Sequence, residues 1–477
     1  MTIQTALLVR VSSAVDKVDH PQFFDPCYPL KSIQVFLEHR MGVKVWIRDC
    51  WIDPCDSQTL IDLACRLQPD LLVVSATSFD IHIANAFVAG IRKSGCSSLL
   101  TGIGQGMILN DDIGREHDQY YDVVLLGEPE EAFFVLFEQM KNDAGPNARW
   151  RAHYRDLYEK GTRLMVRDLD ALPFSDYTNE ELEAYRSIYP IRTHKRVKWG
   201  YLIAGRGCPH QCSFCSEVMR VSVGDRMRIR SGRSVADEME HLAGQGANII
   251  SFQDDSFSSS RKLVRDVCDE LTGRGNRIPW MARARVDEVD SEMLGRMKSA
   301  GCVMLGIGVE AGSQRIIKKI RKSCAPKPWA DMARGIFRKA RELGIGTNAY
   351  YVLGNPTETR EEMEATIKLA LELGSDSIQV HFHTPYPGSS DWDDYQAFIA
   401  EHDPTKMYHY AKPQFTMSEV SVDELMEIRA GFYRRYLLHP GFALRHMWHY
   451  GLFYLRNPDI FRTLVGIRKI IKPVGKP

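Results

Sequence analysis

The sequence predicts an α/β protein built from two successive parallel-sheet domains and a helical C-terminal region. Three observations predict it. Short apolar runs alternate with helical patterns from Thr5 to about residue 140, and a second alternating series begins near residue 197. The stretch from about residue 393 to 477 then keeps helical spacing and many aromatics without a strand pattern. Such alternation is what parallel strands joined by crossover helices produce.

In the first series the strand candidates are ALLVRV, VKVWIRD, DLLVVSAT, SLLTGIG and DVVLLGE. Between the first two, PLKSIQVFLEHRMG has helical apolar spacing and closes on Gly42, a residue suited to a C-cap. Five strands predict a doubly wound domain over residues 1–140, with its ligand site at the carboxyl ends of the strands. Residues 141–196 change character, with NDAGPNARW, several charges and the turn-like LPFSDYTNEE, and read as a linker. Residues 197–392 supply six more strand candidates: WGYLIAG, IISFQDDSF, IPWMARARV, VMLGIGVE, IGTNAYYVLG and SIQVHFHTPYPG. Helical stretches such as VADEMEHLAGQG and SEMLGRMKSAG separate them, which predicts a partial (β/α)6 barrel of the TIM type.

The 61 Lys and Arg balance the 61 Asp and Glu among 477 residues. No global field recruits nucleic acid or an anionic membrane, so a small molecule is the expected partner. MTIQTALLVRVSS runs straight into a strand pattern and lacks the regions of a signal peptide. No apolar run reaches the roughly 18 residues of a membrane span. Eleven cysteines in such a chain read as free thiols or metal ligands in a reducing cytoplasm, the expected location.

Three of those cysteines cluster. AGRGCPHQCSFCSEV places Cys208, Cys212 and Cys215 with gaps of three and two residues directly after a strand. Short gaps put several thiolates on one loop within reach of a single iron-sulfur cluster. With no fourth cysteine nearby, one iron is left open. Zinc with a distant ligand such as His210 is the competing reading. Gly205 and Gly207 let the backbone pass close to the cluster, and Phe214 reads as a pocket wall.

Residues 200 to about 390 resemble the radical S-adenosylmethionine (SAM) superfamily on this motif. The resemblance implies that the three cysteines hold a [4Fe-4S] cluster whose open iron is chelated by SAM. It also implies that reductive cleavage yields methionine and a 5'-deoxyadenosyl radical, with electrons from an external donor of flavodoxin or ferredoxin type. QDDSFS resembles the family's Asp-Asp-x-Phe element, and Asp254 and Asp255 fit either ligand contact or capping at a strand exit. GIGVEAGS resembles the stretch whose glutamate, here Glu310, contacts SAM. Arg283 and Arg285 fit SAM or substrate anions as well as barrel salt bridges. LGNPTETREEMEATI resembles the family's turn after the fifth strand, with Asn355 in place of a more usual apolar residue; it fits a helix start or a substrate contact. Alternation puts His381 and His383 on one face, as substrate contacts in the barrel mouth or as core histidines.

A five-stranded parallel domain ahead of such a barrel resembles the Rossmann-like, cobalamin-binding class. The pieces that carry this are the helix near Pro29, Ser75 and Thr77 at a strand end, Gly102, Gly104 and Gly106 in GIGQG, and Gly127 and Glu128 in LLGEPEEA. The resemblance implies that these strand-end residues wrap cobalamin. The sequence departs from that class in lacking Asp-x-His-x-x-Gly, so no histidine is evident as a lower cobalt ligand. Its glycine loop is not Gly-Gly-Pro-His, and SSAVDKVDHPQFFDPCYP replaces the early proline-rich loop. A sheet kept only as a scaffold is the alternative.

The expected function is a cobalamin-dependent radical SAM enzyme that methylates an unactivated carbon, or phosphorus, of a secondary metabolite or lipid precursor. A cyclase or ring-contraction enzyme with the same cofactors competes with it, and an iron-sulfur electron-transfer protein is the reading from another class. From Phe432 onward, aromatics mix with Arg, Lys and His, and Pro440 and Pro458 divide the helical pattern. Helices capping the barrel, or a peripheral membrane contact serving a lipid-like substrate, are both consistent with it.

Overall fold

The computed structural model describes residues 3–11, 27–77, 80–104, 107, 120–125, 127–142, 164–185, 191, 196–215, 226–323, 325, 327–403, 407 and 412–456. The expectations on residues 12–26, Gly106 and Pro458 lie outside these.

The first unit runs β1 (Thr5–Arg10), α1 (Tyr28–Met41), β2 (Lys44–Asp49), α2 (Ser57–Leu67), β3 (Leu71–Ser75), α3 (Ile81–Ser94), β4 (Leu99–Ile103), β5 (Val123–Val124) and α4 (Pro129–Asn142). Its strands are all parallel in the order β2-β1-β3-β4-β5. Alternate strand residues serve two cores. Ala6, Leu8, Leu71 and Val73 pack with α1 and α4, while Leu7, Val9, Leu72 and Val74 pack with α2 and α3. Burial on both faces is why these strands read as unbroken apolar runs. The predicted cap of α1 is present: Gly42 has φ +69° and donates its N–H to Leu37 O.

Between the sheets the described stretch 164–185 folds onto the second unit, where composition suggested a linker. Tyr177, Leu182 and Tyr185 join that unit's core, and a Thr178–Glu181 capping box starts α5 (Asn179–Ala184). Isolated aromatics set among charges carry this packing, so no periodic signal announced it.

The second unit contains β6 (Trp199–Leu202), β7 (Gly205–Arg206), β8 (Arg228–Ile229), α6 (Gly232–Gly244), β9 (Ile249–Phe252), α7 (Arg261–Gly273), β10 (Trp280–Arg285) and α8 (Ser291–Ser299). It continues with β11 (Cys302–Glu310), α9 (Gln314–Lys319), α10 (Trp329–Glu342), β12 (Gly346–Leu353), α11 (Arg360–Leu373) and β13 (Ser377–Phe382). Six of the strands form a parallel sheet in the order β13-β12-β11-β10-β9-β6, the expected partial barrel. β7 and β8 pair antiparallel as a ribbon beside it. The turn after β12 starts a helix, as one reading held, with Thr359 and Glu362 forming a capping box.

Short helices α12 (Ser390–Asp394) and α13 (Gln396–Ala400) precede α14 (Val422–Leu437) and α15 (Pro440–Arg456). The last two cover the barrel, with Phe432 against Tyr351 at 5.2 Å between ring centroids and Tyr450 and Phe453 buried. Among the described residues no helix is long and apolar enough to cross a membrane.

Candidate active site

The chain leaves β6 and enters the cysteine loop through the ribbon strand β7. Asp254, at the exit of β9, fixes that entry by accepting the N–H groups of Ala204 at 3.0 Å and Gly205 at 2.7 Å. Gly207, at φ +97°, supplies a conformation that side chains disfavour. Cys215 N–H closes a turn on Cys212 O at 3.1 Å. Cys208 and Cys212 are half-buried and Cys215 is exposed.

Cations surround the loop. Arg285, at the end of β10, places Nη1 3.3 Å from Cys212 Sγ and braces its own Nε against Asp287 at 3.0 Å. Lys322 is buried; burial opposes its charge, but Glu310 and Cys212 hold its ammonium above the ordinary value. Burial, then Asp255 and Cys212, raise the Cys208 thiol. Three thiols on one loop with a guanidinium and an ammonium beside them fit an anionic, thiolate-held cluster. His210, the ligand the zinc reading needs, turns instead to Glu288. Glu288 also accepts the hydroxyls of Ser256, Ser258 and Ser259 at 2.9, 2.6 and 2.6 Å. These bonds outweigh burial and hold its carboxyl at about 2.

The residues expected at SAM lie on the strand ends around this loop. Phe214 packs on the barrel core. Asp254 is buried, and burial raises its carboxyl to about 7 against the backbone donors it accepts. Its two oxygens hold the loop entry, a role between the two readings considered for it. Asp255 is exposed, yet desolvation by the surrounding loops raises it to about 6 against the pull of Arg283. Arg283 donates to Gln253 at 3.3 Å. Glu310 ends β11 at φ +63°, beyond a register shift, a conformation costing a non-glycine residue about 1–3 kcal/mol. Its Oε1 lies 2.8 Å from Lys322 Nζ. A Cβ at Gly308 would stand 2.4 Å from Glu310 Oε1 and 2.9 Å from Lys322 Nζ, so the pair requires that glycine.

The two histidines part company. His381 is half-buried and stacks on Tyr350 at 6.4 Å between centroids. The His383 side chain is fully buried, and its ring nitrogens face Asn355 and Asp391.

In the first unit the expected cobalamin residues answer mostly to their own chain. Ser75 meets Cys27 Sγ at 3.7 Å, and Thr77 donates to Asp80 at 2.8 Å. A Cβ on Gly102 would meet Met107 Sδ at 2.6 Å, on Gly104 it would meet Ala76 O at 2.6 Å, and on Gly127 it would meet Leu164 O at 2.4 Å. Glu128 is buried, accepting from Arg228 at 2.9 Å and Val166 N–H at 2.6 Å. Neighbouring Glu130 takes a two-pronged bond from Arg206 at 3.0 and 2.7 Å, and Arg206 also lies 3.4 Å from Glu128. Burial alone would raise Glu130 and lower Arg206, but each holds the other charged. This buried lock joins α4 to the β7–β8 ribbon, two residues before Cys208. Its partners stand 76 and 100 residues apart in the chain, so spacing carried no signal for it.

Residues 202–370, which hold the cysteine loop and five of the six barrel strands' ends, match the model of the radical SAM superfamily. Over that stretch the chain is similar to radical SAM proteins. Among curated relatives, an uncharacterized methyltransferase of Pyrococcus horikoshii is 27% identical, over 69% of this chain and 70% of the relative. An anaerobic magnesium-protoporphyrin IX monomethyl ester cyclase of Cereibacter sphaeroides is 24% identical over 82% of this chain, but the match spans only 63% of that enzyme. In fold the chain is similar to the radical SAM methyltransferase TsrM from Kitasatospora setae, solved with cobalamin and a [4Fe-4S] cluster. The TM-score is 0.64 at 16% identity, over 92% of this chain and 89% of that one. The likeness in fold thus extends to the N-terminal sheet placed ahead of the barrel.

Proposed function

We propose that the chain is a cobalamin-dependent radical SAM methylase acting on an unactivated carbon, or phosphorus, of a secondary metabolite or lipid precursor. The observation that carries this reading is the three-cysteine loop, ringed by Arg285, Lys322 and Glu310, in a barrel preceded by a five-stranded parallel sheet. Cys208, Cys212 and Cys215 would hold the cluster, Glu310 and Asp255 the polar end of SAM, and the strand ends at Ser75, Gly104 and Gly127 the corrin. When bound, these groups supply a one-electron cleavage of SAM and a transferable methyl group. The chain's own part is to fix the loop through Asp254 and to hold the Glu310 side chain in place through Lys322. A flavodoxin- or ferredoxin-type donor completes the reading.

Supporting a lipid-like substrate, α15 leaves Leu444, Met447, Trp448 and Leu455 exposed at helical spacing, suited to rest on a membrane surface. Flotation with anionic liposomes at low salt checks this; a chain that stays at the bottom of the gradient removes it. Cyclisation is the second reading, favoured by the breadth of the match to the cyclase. Anaerobic reconstitution with cobalamin and SAM, with mass analysis of nucleosides and candidate substrates, separates the two. A methylase product gains one methylene, a cyclised product gains none, and absence of deoxyadenosine and of methylated product defeats both.

A further inference from the structure

Ser213, between Cys212 and Phe214, is held from three sides. Its N–H donates to Ile320 O at 3.0 Å, and its carbonyl accepts from Asp391 N–H at 3.2 Å and the Ser390 hydroxyl at 3.4 Å. Its own hydroxyl donates to Asp391 Oδ2 at 2.8 Å. That same oxygen lies 2.9 Å from His383 Nε2, and His383 Nδ1 lies 2.9 Å from Asn355 Oδ1. The Asn355 amide is not free to turn, because its Nδ2 donates to Val352 O at 2.9 Å and to Glu358 Oε2 at 3.0 Å. His383 Nδ1 therefore carries a proton. Nε2 faces a carboxylate that burial would raise but that His383, Ser213 and Arg321 hold below its usual range.

A buried histidine–carboxylate pair thus stands at the exits of β12 and β13. The His383 ring centroid is 6.1 Å from that of Phe214, and a single hydroxyl links the pair to the cysteine loop. Reduction potentials of iron-sulfur clusters follow nearby charge and hydrogen bonding, and fixed charges act strongly where water is excluded. We propose that Asn355, His383 and Asp391 are positioning residues: their relay orients the cysteine loop through Ser213 and fixes where the Asp391 carboxylate stands beside it, and so sets the potential of the cluster. This rests on the cluster assigned under the proposed function. It also gives a reason for an amide at position 355, since an apolar side chain there would leave His383 Nδ1 without its acceptor.

The test is anaerobic potentiometric titration of the reconstituted full-length chain, followed by electron paramagnetic resonance, with iron and sulfide counts. His383→Gln releases the Asp391 carboxylate from the ring that fixes it, and the equilibrium constant for cluster reduction should fall about tenfold. Asp391→Asn removes the anion, and reduction should become no harder, or easier. The double variant His383→Gln with Asp391→Asn has no carboxylate through which the loss can act, and should reverse that fall. Shifts in the same direction for both single variants, no shift in either, or a double variant that stays displaced would overturn the relay. If His383→Gln fails to assemble a cluster, the Asp391→Asn and double variants still decide it. A wild-type chain that assembles no SAM-cleaving cluster defeats the proposed function itself, and the relay with it.

Discussion

Both sheets offer a ligand the carboxyl ends of their strands, but the two mouths are furnished differently. At the barrel, long polar side chains from β9, β10, β11 and β13 converge on one loop: Asp254 on its entry, Arg285 on Cys212, Lys322 with Glu310, and His383 through Asp391 on Ser213. In the N-terminal sheet the strand ends are small, their bonds are local, and its two buried acids face sideways into the ribbon beside the barrel. The barrel mouth is built to hold charge, whereas the sheet's strand ends pack against their own chain and an electrostatic seam ties the sheet to the cluster loop. What differs is the physics of recognition on one shared topological rule.

The largest effect should come from breaking the barrel side of this contrast. Changing Cys208, Cys212 or Cys215 singly to Ala should abolish the reducible cluster and all deoxyadenosine formation, measured by iron and sulfide content and nucleoside analysis. Cys268→Ala, in the core, should leave both intact. Normal SAM cleavage by any of the three loop variants would contradict the assignment.

Next is the seam. Glu130→Ala leaves Arg206 buried with only the longer contact to Glu128, and should cost about 3–5 kcal/mol in urea unfolding. The apolar double variant Glu130→Leu with Arg206→Met should recover much of it, because two desolvated charges are removed together. A loss below about 1 kcal/mol, the range of exposed pairs, would show that the seam is not closed to water.

Glu288 tests the loop's neighbour through acidity. Its folded carboxyl is held at about 2 from an ordinary 4.5, so its contribution is fully present above pH 4.5 and is lost as pH falls toward 2. At neutral pH the contribution is roughly 3 kcal/mol, and Glu288→Gln should remove it and flatten the acid limb of stability between those values. An unchanged acid limb in the variant would count against the His210–Glu288 link.

The smallest expected effect sharpens the N-terminal side. Gly104 sits at φ +102° with Ala76 O in the place of a Cβ, so Gly104→Ala should cost about 1–3 kcal/mol and weaken corrinoid uptake while the cluster assembles normally. Cobalamin binding followed by its visible spectrum reads this directly. Equal loss of cluster and corrinoid would mean that the two mouths are not separable.

Much of this was legible in the chain alone. The eleven strands of the two sheets came from apolar runs of strand length, and the cysteine loop from spacing within eight residues, because both are local patterns. The Gly42 cap and the Thr359 capping box are local for the same reason. Glu310 and Arg285 were named from the sequence, but their partners Lys322 and Cys212 were not. The burial of His383 and Glu128, the packing of residues 164–185 and the seam through Arg206 were decided only in three dimensions. An ion pair or a buried hydrogen bond depends on which distant strand ends the fold brings within about 3 Å, and on whether water is shut out there. Periodicity records which face of an element is buried, but it carries no record of the partner across the interface.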